Sequence, residues 1–204
     1  MTTFYFLRHG ELDQKGVLAG HTDFLLSDKG LQQMTEQLSK QVGFDICYSS
    51  PLKRCAIVAQ QYCKQNNITC IEDRRLMEMD FGSWDGKAYD LLWSDCEQIA
   101  DYKLGDFWQD PWEYSPPNGE TMEAFTLRVE EWWNKVVDLA FKSQHQNVLV
   151  VSHGGVIKYL LANVMGISVK PASYLSSLEV SYASIAKVQV YFDEQKKAWS
   201  KFVL

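Results

Sequence analysis

Val148-Leu149-Val150-Val151 is an unbroken run of β-branched residues and leucine, with no polar residue on either face of the strand it would form. A strand that faces water on one side alternates apolar with polar residues, whereas one without a polar side has to be covered twice. The chain therefore needs helices on two sides of a sheet. Phe4 to Leu7 reads as another short buried strand, and the segments between such runs carry helical spacing. Leu31, Met34, Leu38 and Val42 share a stripe behind Ser27 as N-cap. Phe44 to Tyr48 reads as a further strand, and Ser50-Pro51 opens a helix with proline in its first turn that carries Ile57, Val58, Tyr62 and Cys63 inward. Thr121 caps the longest helix, in which Met122, Phe125, Val129, Trp132, Val136 and Leu139 keep three-and-four spacing. Val156 to Met165 is a helix that Gly166 can stop. Ile185 to Phe192 and Ala198 to Val203 are two strands joined by the polar turn Asp193-Glu194-Gln195-Lys196. Strands interleaved with helices predict an α/β fold, a three-layer α/β/α sandwich around a mostly parallel central sheet.

With 204 residues, 46% of them hydrophobic, the chain can bury a sizeable core, and the length favours one domain over residues 1–204. A net charge of −6 argues against nucleic acid or an anionic membrane as partner, since either demands a basic face. Met1-Thr2-Thr3 leads into the first strand without a basic n-region, and no apolar run reaches membrane-spanning length, so a cytoplasmic protein is expected. Cys47, Cys55, Cys63, Cys70 and Cys96 include no C-x-x-C pair, and reduced, mostly buried thiols are expected. Cys55 directly follows Arg54 and could feel its positive field. A homodimer is left open.

One local echo points to chemistry. Phe4-Tyr5-Phe6-Leu7 runs into Arg8-His9-Gly10, and Val148 to Val151 runs into Ser152-His153-Gly154-Gly155. Ligands of open α/β sheets gather beyond the carboxyl ends of the strands, so both imidazoles are expected in one crevice. Arg54, a turn into the helix after Tyr48-Ser49-Ser50, can reach the same place. Two arginines and two histidines in an otherwise acidic protein should hold an anion, and guanidinium matches the edge of a phosphoryl group through parallel hydrogen bonds. A neutral imidazole can attack phosphorus while the remaining cations stabilise the equatorial oxygens. The leaving alkoxide needs a proton, and Glu78 in RLMEMDFGSWDG is the best candidate donor.

Five separated motifs, LRHGE, SSPLKRCAIVA, LMEMDFGSWDG, PPNGE followed by FTLRV, and VVSHGGV, together resemble the histidine phosphatase superfamily in its phosphoglycerate mutase-like branch. The resemblance implies that His9 is the phosphorylated nucleophile, that Arg8, Arg54 and His153 form the phosphate pocket, and that Glu78 is the proton donor, with neither metal nor cofactor. It places substrate contacts around Lys15, Gly20, His21, Arg8, Arg54 and Gly154, and a cap at about 80–120. Leu12 stands where the family usually has Thr, Lys15 where an Asn often lines the pocket, Val58 in place of a helix Thr, and Asp85 in place of a Glu.

Segment 80–120 is strongly acidic and holds Trp84, Trp93, Trp108 and Trp112. It should repel substrates with several phosphates, and its tryptophans either stack on an aromatic base or pack the segment's own core. The expected substrate is a small-molecule phosphomonoester carrying an aromatic heterocycle. The alternatives are a broad-specificity phosphatase, a cofactor-dependent phosphoglycerate mutase, a non-catalytic phospho-ligand binding module that forms no phosphohistidine, and a metallohydrolase on His9, Glu11, His21 and His153 that chelator would inactivate.

Overall fold

A computed structural model describes residues 1–41, 43–94 and 103–203. The strands among the described residues are β1 (Thr2–Arg8), β2 (Ile46–Ser49), β3 (Thr69–Glu72), β4 (Asn147–Ser152), β5 (Ile185–Phe192) and β6 (Ala198–Val203). They form one sheet in the order β3-β2-β4-β1-β5-β6. The first four in that order run parallel, and β5 and β6 extend the sheet antiparallel. The helices among the described residues are α1 (Asp28–Ser39), α2 (Lys53–Asn66), α3 (Tyr89–Ser94), α4 (Leu104–Gln109), α5 (Met122–Ser143), α6 (Gly154–Val164) and α7 (Tyr174–Ser177). None is long and apolar enough to cross a membrane.

Two separate cores show the three layers directly. Phe4, Phe6, Tyr48, Val148 and Val150 pack with the inner residues of α5 and α6, whereas Tyr5, Leu7, Cys47, Leu149 and Val151 pack with those of α1 and α2. Alternate residues of each inner strand thus feed opposite cores, as the two-residue period requires. Each fully buried side chain of this size contributes about 1.5–3 kcal/mol, so β1 and β4, whose apolar residues are all buried, anchor the sheet.

Ser27 caps α1, accepting the Gly30 N–H at 3.0 Å, and Thr121 caps α5. The inward stripe of α1 nevertheless starts at Gly30 and continues through Met34 and Leu38, leaving Leu31 exposed. The reason is close packing: a Cβ at Gly30 would collide with the backbone of Glu11, so the helix rests on the chain just past His9. Val42 lies outside the described residues. In α2 the inner face is Arg54, Cys55, Val58, Ala59 and Cys63, which turns the neighbouring Ile57 outward, and Leu139 of α5 is also exposed. Pro51 precedes the α2 N-cap, Leu52, rather than entering the first turn. β2 begins two residues later than expected, although Phe44 is buried, and β3 was not foreseen because its side chains are largely exposed and carry no buried pattern.

Candidate active site

Three parallel strand ends supply the residues. β1 and β4 are neighbours with Arg8 opposite Ser152, so the two His-Gly echoes finish side by side. The His9 N–H donates to the Ser152 carbonyl at 3.0 Å, and the His9 and His153 rings stand 5.2 Å apart. Ser50, just past β2, brings its Oγ to 2.8 Å from His153 Nε2, and α2 delivers Arg54 from its first turn.

His9 is 4% exposed, and its Nδ1 lies 2.9 Å from the Gly10 carbonyl. A carbonyl oxygen only accepts, so this contact assigns the proton to Nδ1 and leaves Nε2 with its lone pair. Burial, followed by the charges of Arg54 and Arg8, pushes the His9 pKa down to about 3. The ring is neutral at physiological pH and available as a nucleophile.

Arg54 is wholly buried. Its Nε donates to His153 Nδ1 at 3.2 Å, Nη1 to the Thr22 carbonyl at 2.8 Å and Nη2 to the Gly20 carbonyl at 2.5 Å. Each terminal nitrogen keeps one more N–H to offer. With Nδ1 of His153 accepting, Nε2 carries the proton toward Ser50, and burial together with Arg54 drives the His153 pKa well below its ordinary value. Arg8 donates from Nη1 to the Val180 carbonyl at 2.6 Å, lies 4.1 Å from the centre of the Tyr182 ring, and has a buried Nε without a partner among the described residues. Among the described residues neither arginine forms an ion pair with a carboxylate. Two guanidinium groups at a strand mouth, beside the N-terminus of α6, make a site whose unmet need is an anion.

Glu78 shares with Arg8 and His9 a cavity of about 230 Å³ that Gly154 and Gly155 also line. Its Oε2 accepts the Gly155 N–H at 3.0 Å and its Oε1 the Met79 N–H at 3.1 Å. Apart from Lys158, the rest of the wall is apolar or aromatic, with Leu12, Leu18, Phe81, Phe107, Trp108 and Phe125 prominent. The arrangement can hold a phosphoryl group at one end, protonate a leaving oxygen in the middle and cover an apolar body at the other.

The model of the histidine phosphatase superfamily (branch 1) matches residues 4–201. This chain belongs to that superfamily. It is 31% identical over 168 residues to the adenosylcobalamin/alpha-ribazole phosphatase of Escherichia coli (strain K12), covering 79% of this chain and 78% of that protein. It is 26% identical over 195 residues to phosphoserine phosphatase 1 of Hydrogenobacter thermophilus, covering 91% and 86%. The crystal structure of the alpha-ribazole phosphatase from Shigella flexneri superposes with a TM-score of 0.77 at 26% identity, over 99% of this chain and 96% of that one.

In this member of the histidine phosphatase superfamily, Arg8, His9, Arg54, Glu78, His153 and Gly154 come together, while Arg54 and His153 sit behind the cavity wall rather than on it. Gly20 contributes through its carbonyl. Lys15 is exposed and pairs with Glu11 at 3.6 Å, away from the cavity. His21 turns its ring to the Glu78 carbonyl and to Asp80, buttressing the loop from outside. Glu11, held by Lys29 and Lys15, and His21 therefore do not join His9 and His153 as a ligand group. The Cys55 thiol, 3.7 Å from His153 Nε2, is pushed up to about 12 because burial outweighs the field of Arg54.

Of the four tryptophans, Trp108 lines the cavity. Trp84 is buried against Phe107, and Trp112 donates to the Val169 carbonyl. Trp93 is exposed, with its ring against Gly105. Several acidic groups of this segment are spent on structure: Asp85 accepts from the Gly20 and Thr22 N–H groups, and Glu120 pairs with Arg128. Asp95, Glu97 and Asp101 lie outside the described residues. Sequence reasoning gave no site role to Tyr182, Ser50, Gly155 or Lys158, although Ser50, inside YSSP at a strand end, and Gly155, inside VVSHGGV, carried local signals.

Proposed function

We propose that this phosphatase hydrolyses a phosphomonoester through a phosphohistidine at His9. The neutral Nε2 attacks phosphorus and the P–O ester bond breaks as Glu78, in its acid form, protonates the departing alkoxide. Arg8 and the free N–H groups of Arg54 carry the charge of the equatorial oxygens, while His153 and Ser50 hold Arg54 in place. Glu78, now a carboxylate, takes a proton from water, whose oxygen attacks the phosphoryl group. The P–N bond breaks, phosphate leaves and His9 is neutral again.

The observation that carries the reading is the His9 ring: tied through Nδ1 to Gly10, kept uncharged, and set beside two guanidinium groups that no carboxylate among the described residues neutralises. The apolar wall around Phe81, Phe107, Trp108 and Phe125 supports a substrate of the alpha-ribazole 5′-phosphate kind, a monophosphate with an aromatic heterocycle, and the first-named relative acts in the same sense. Lys158 favours a second reading. Its ammonium lines the same cavity, bonded to the Leu175 carbonyl, and could meet a substrate carboxylate such as that of phosphoserine. A panel of alpha-ribazole 5′-phosphate, phosphoserine and 3-phosphoglycerate separates them. The first reading predicts the highest kcat/KM for the heterocyclic monoester; a clear preference for 3-phosphoglycerate contradicts both.

A further inference from the structure

The sheet register gathers three thiols that the sequence scatters. Cys47 and Cys70 are paired positions on the parallel strands β2 and β3, so they share a face, and Cys63 reaches them from the buried side of α2. Their sulfurs all lie within 4.8 Å of one another, the one group of three or more potential metal ligands among the described residues. All three are free thiols; Cys47 and Cys63 are buried, and Cys70 is partly open to solvent. We propose that Cys47, Cys63 and Cys70 form a three-thiolate site for one thiophilic cation of the Zn(II), Cd(II) or Cu(I) class, separate from the phosphatase centre.

Thiolate sulfurs bound tetrahedrally to such an ion at a metal–sulfur distance of about 2.3 Å stand about 3.8 Å apart, so binding needs only a small contraction. Soft sulfur ligands in apolar surroundings select this class over magnesium or calcium. The surroundings here are Leu38, Phe44, Val58 and Leu149 of the core beneath α1 and α2. Cys70, partly open to solvent, provides access, and solvent is the source of a fourth ligand. On binding, each coordinating thiol releases its proton to solvent and forms one sulfur–metal bond. The ion would clip β3, an edge strand whose other residues are exposed, to β2 and α2.

The test is titration of the whole protein, kept reduced by a phosphine, with Cd(II) alone. Ultraviolet thiolate-to-metal charge-transfer absorption and the melting temperature are followed, and neither readout depends on phosphatase activity. A band saturating at one equivalent is expected, with melting raised by about 5–10 °C at a hundredfold excess over Kd. Cys70→Ser, at the least buried of the three positions, should lose both effects. No band in the parent protein, or an undiminished band in Cys70→Ser, overturns the proposal.

Discussion

The Glu78 carboxylate and Gly155 are matched in space: Oε2 accepts the Gly155 N–H at 3.0 Å, and a Cβ at position 155 would collide with Oε1. The second glycine of the His-Gly-Gly motif therefore reserves the volume in which Glu78, the proposed proton donor, sits. Gly155→Ala should displace Glu78 and lower kcat/KM on alkyl phosphomonoesters about 10-fold or more, with Glu78→Gln nearer the full 10²–10⁴-fold worth of a general acid. The kcat/KM on p-nitrophenyl phosphate, whose phenolate departs without a proton, should fall much less, because hydrolysis of the phosphohistidine, where Glu78 acts as base, does not enter that ratio. An equal loss on both substrate types would show that Glu78 is not the acid.

Each nitrogen of the Arg54 fork makes one bond, to the Gly20 and Thr22 carbonyls and to His153, which aims the remaining N–H of each terminal nitrogen. A lysine keeps the charge but cannot span three acceptors in different directions. Arg54→Lys should lose about 100-fold or more in kcat/KM, together with affinity for inorganic phosphate as inhibitor. Unchanged phosphate inhibition in that variant would remove Arg54 from the anion site.

Acid should destabilise the protein through its two buried imidazoles. In the unfolded chain they protonate near 6.5, whereas burial and the arginines hold His9 at about 3 and His153 well below 6.5. Between those values the unfolded state binds more protons, so this contribution is complete above about pH 6.5 and is lost progressively as pH falls toward 3. Urea midpoints compared at about pH 7, 5.5 and 4.5 should decline, less steeply in His9→Gln. Identical slopes in the two proteins would contradict the neutral, desolvated state of His9.

Trp108 is the cavity's accessible indole, edge-on to Phe107 at 4.9 Å. If the leaving group is a flat heterocycle, Trp108→Ala should raise its KM about 3- to 10-fold, the worth of one aromatic contact, and leave kcat and phosphoserine turnover little changed. A uniform effect across substrates would detach Trp108 from specificity.

Much of the site was legible because it depends on strand ends. Apolar runs fix β1 and β4, and each ends in His-Gly, so adjacency in one parallel sheet suffices to bring His9 and His153 together. What stayed hidden depends on tertiary register. Tyr182 lies in a loop between elements yet packs on Arg8, and the edge strand β3 carries no buried alternation. The outward turn of Leu31 follows from the contact between Gly30 and the Glu11 backbone, which periodicity cannot encode. The tryptophans of segment 80–120 illustrate the same limit: composition marked four flat surfaces, and packing left Trp108 on the cavity wall.

Rapid acid-free quenching of the enzyme during turnover, followed by mass mapping of the phosphoryl group, tests the central claim most directly. The account predicts an acid-labile phosphohistidine at His9, formed and lost at rates compatible with kcat, and absent with activity abolished in His9→Ala. A phosphoryl group mapped to another residue, or undiminished turnover by His9→Ala, would contradict it.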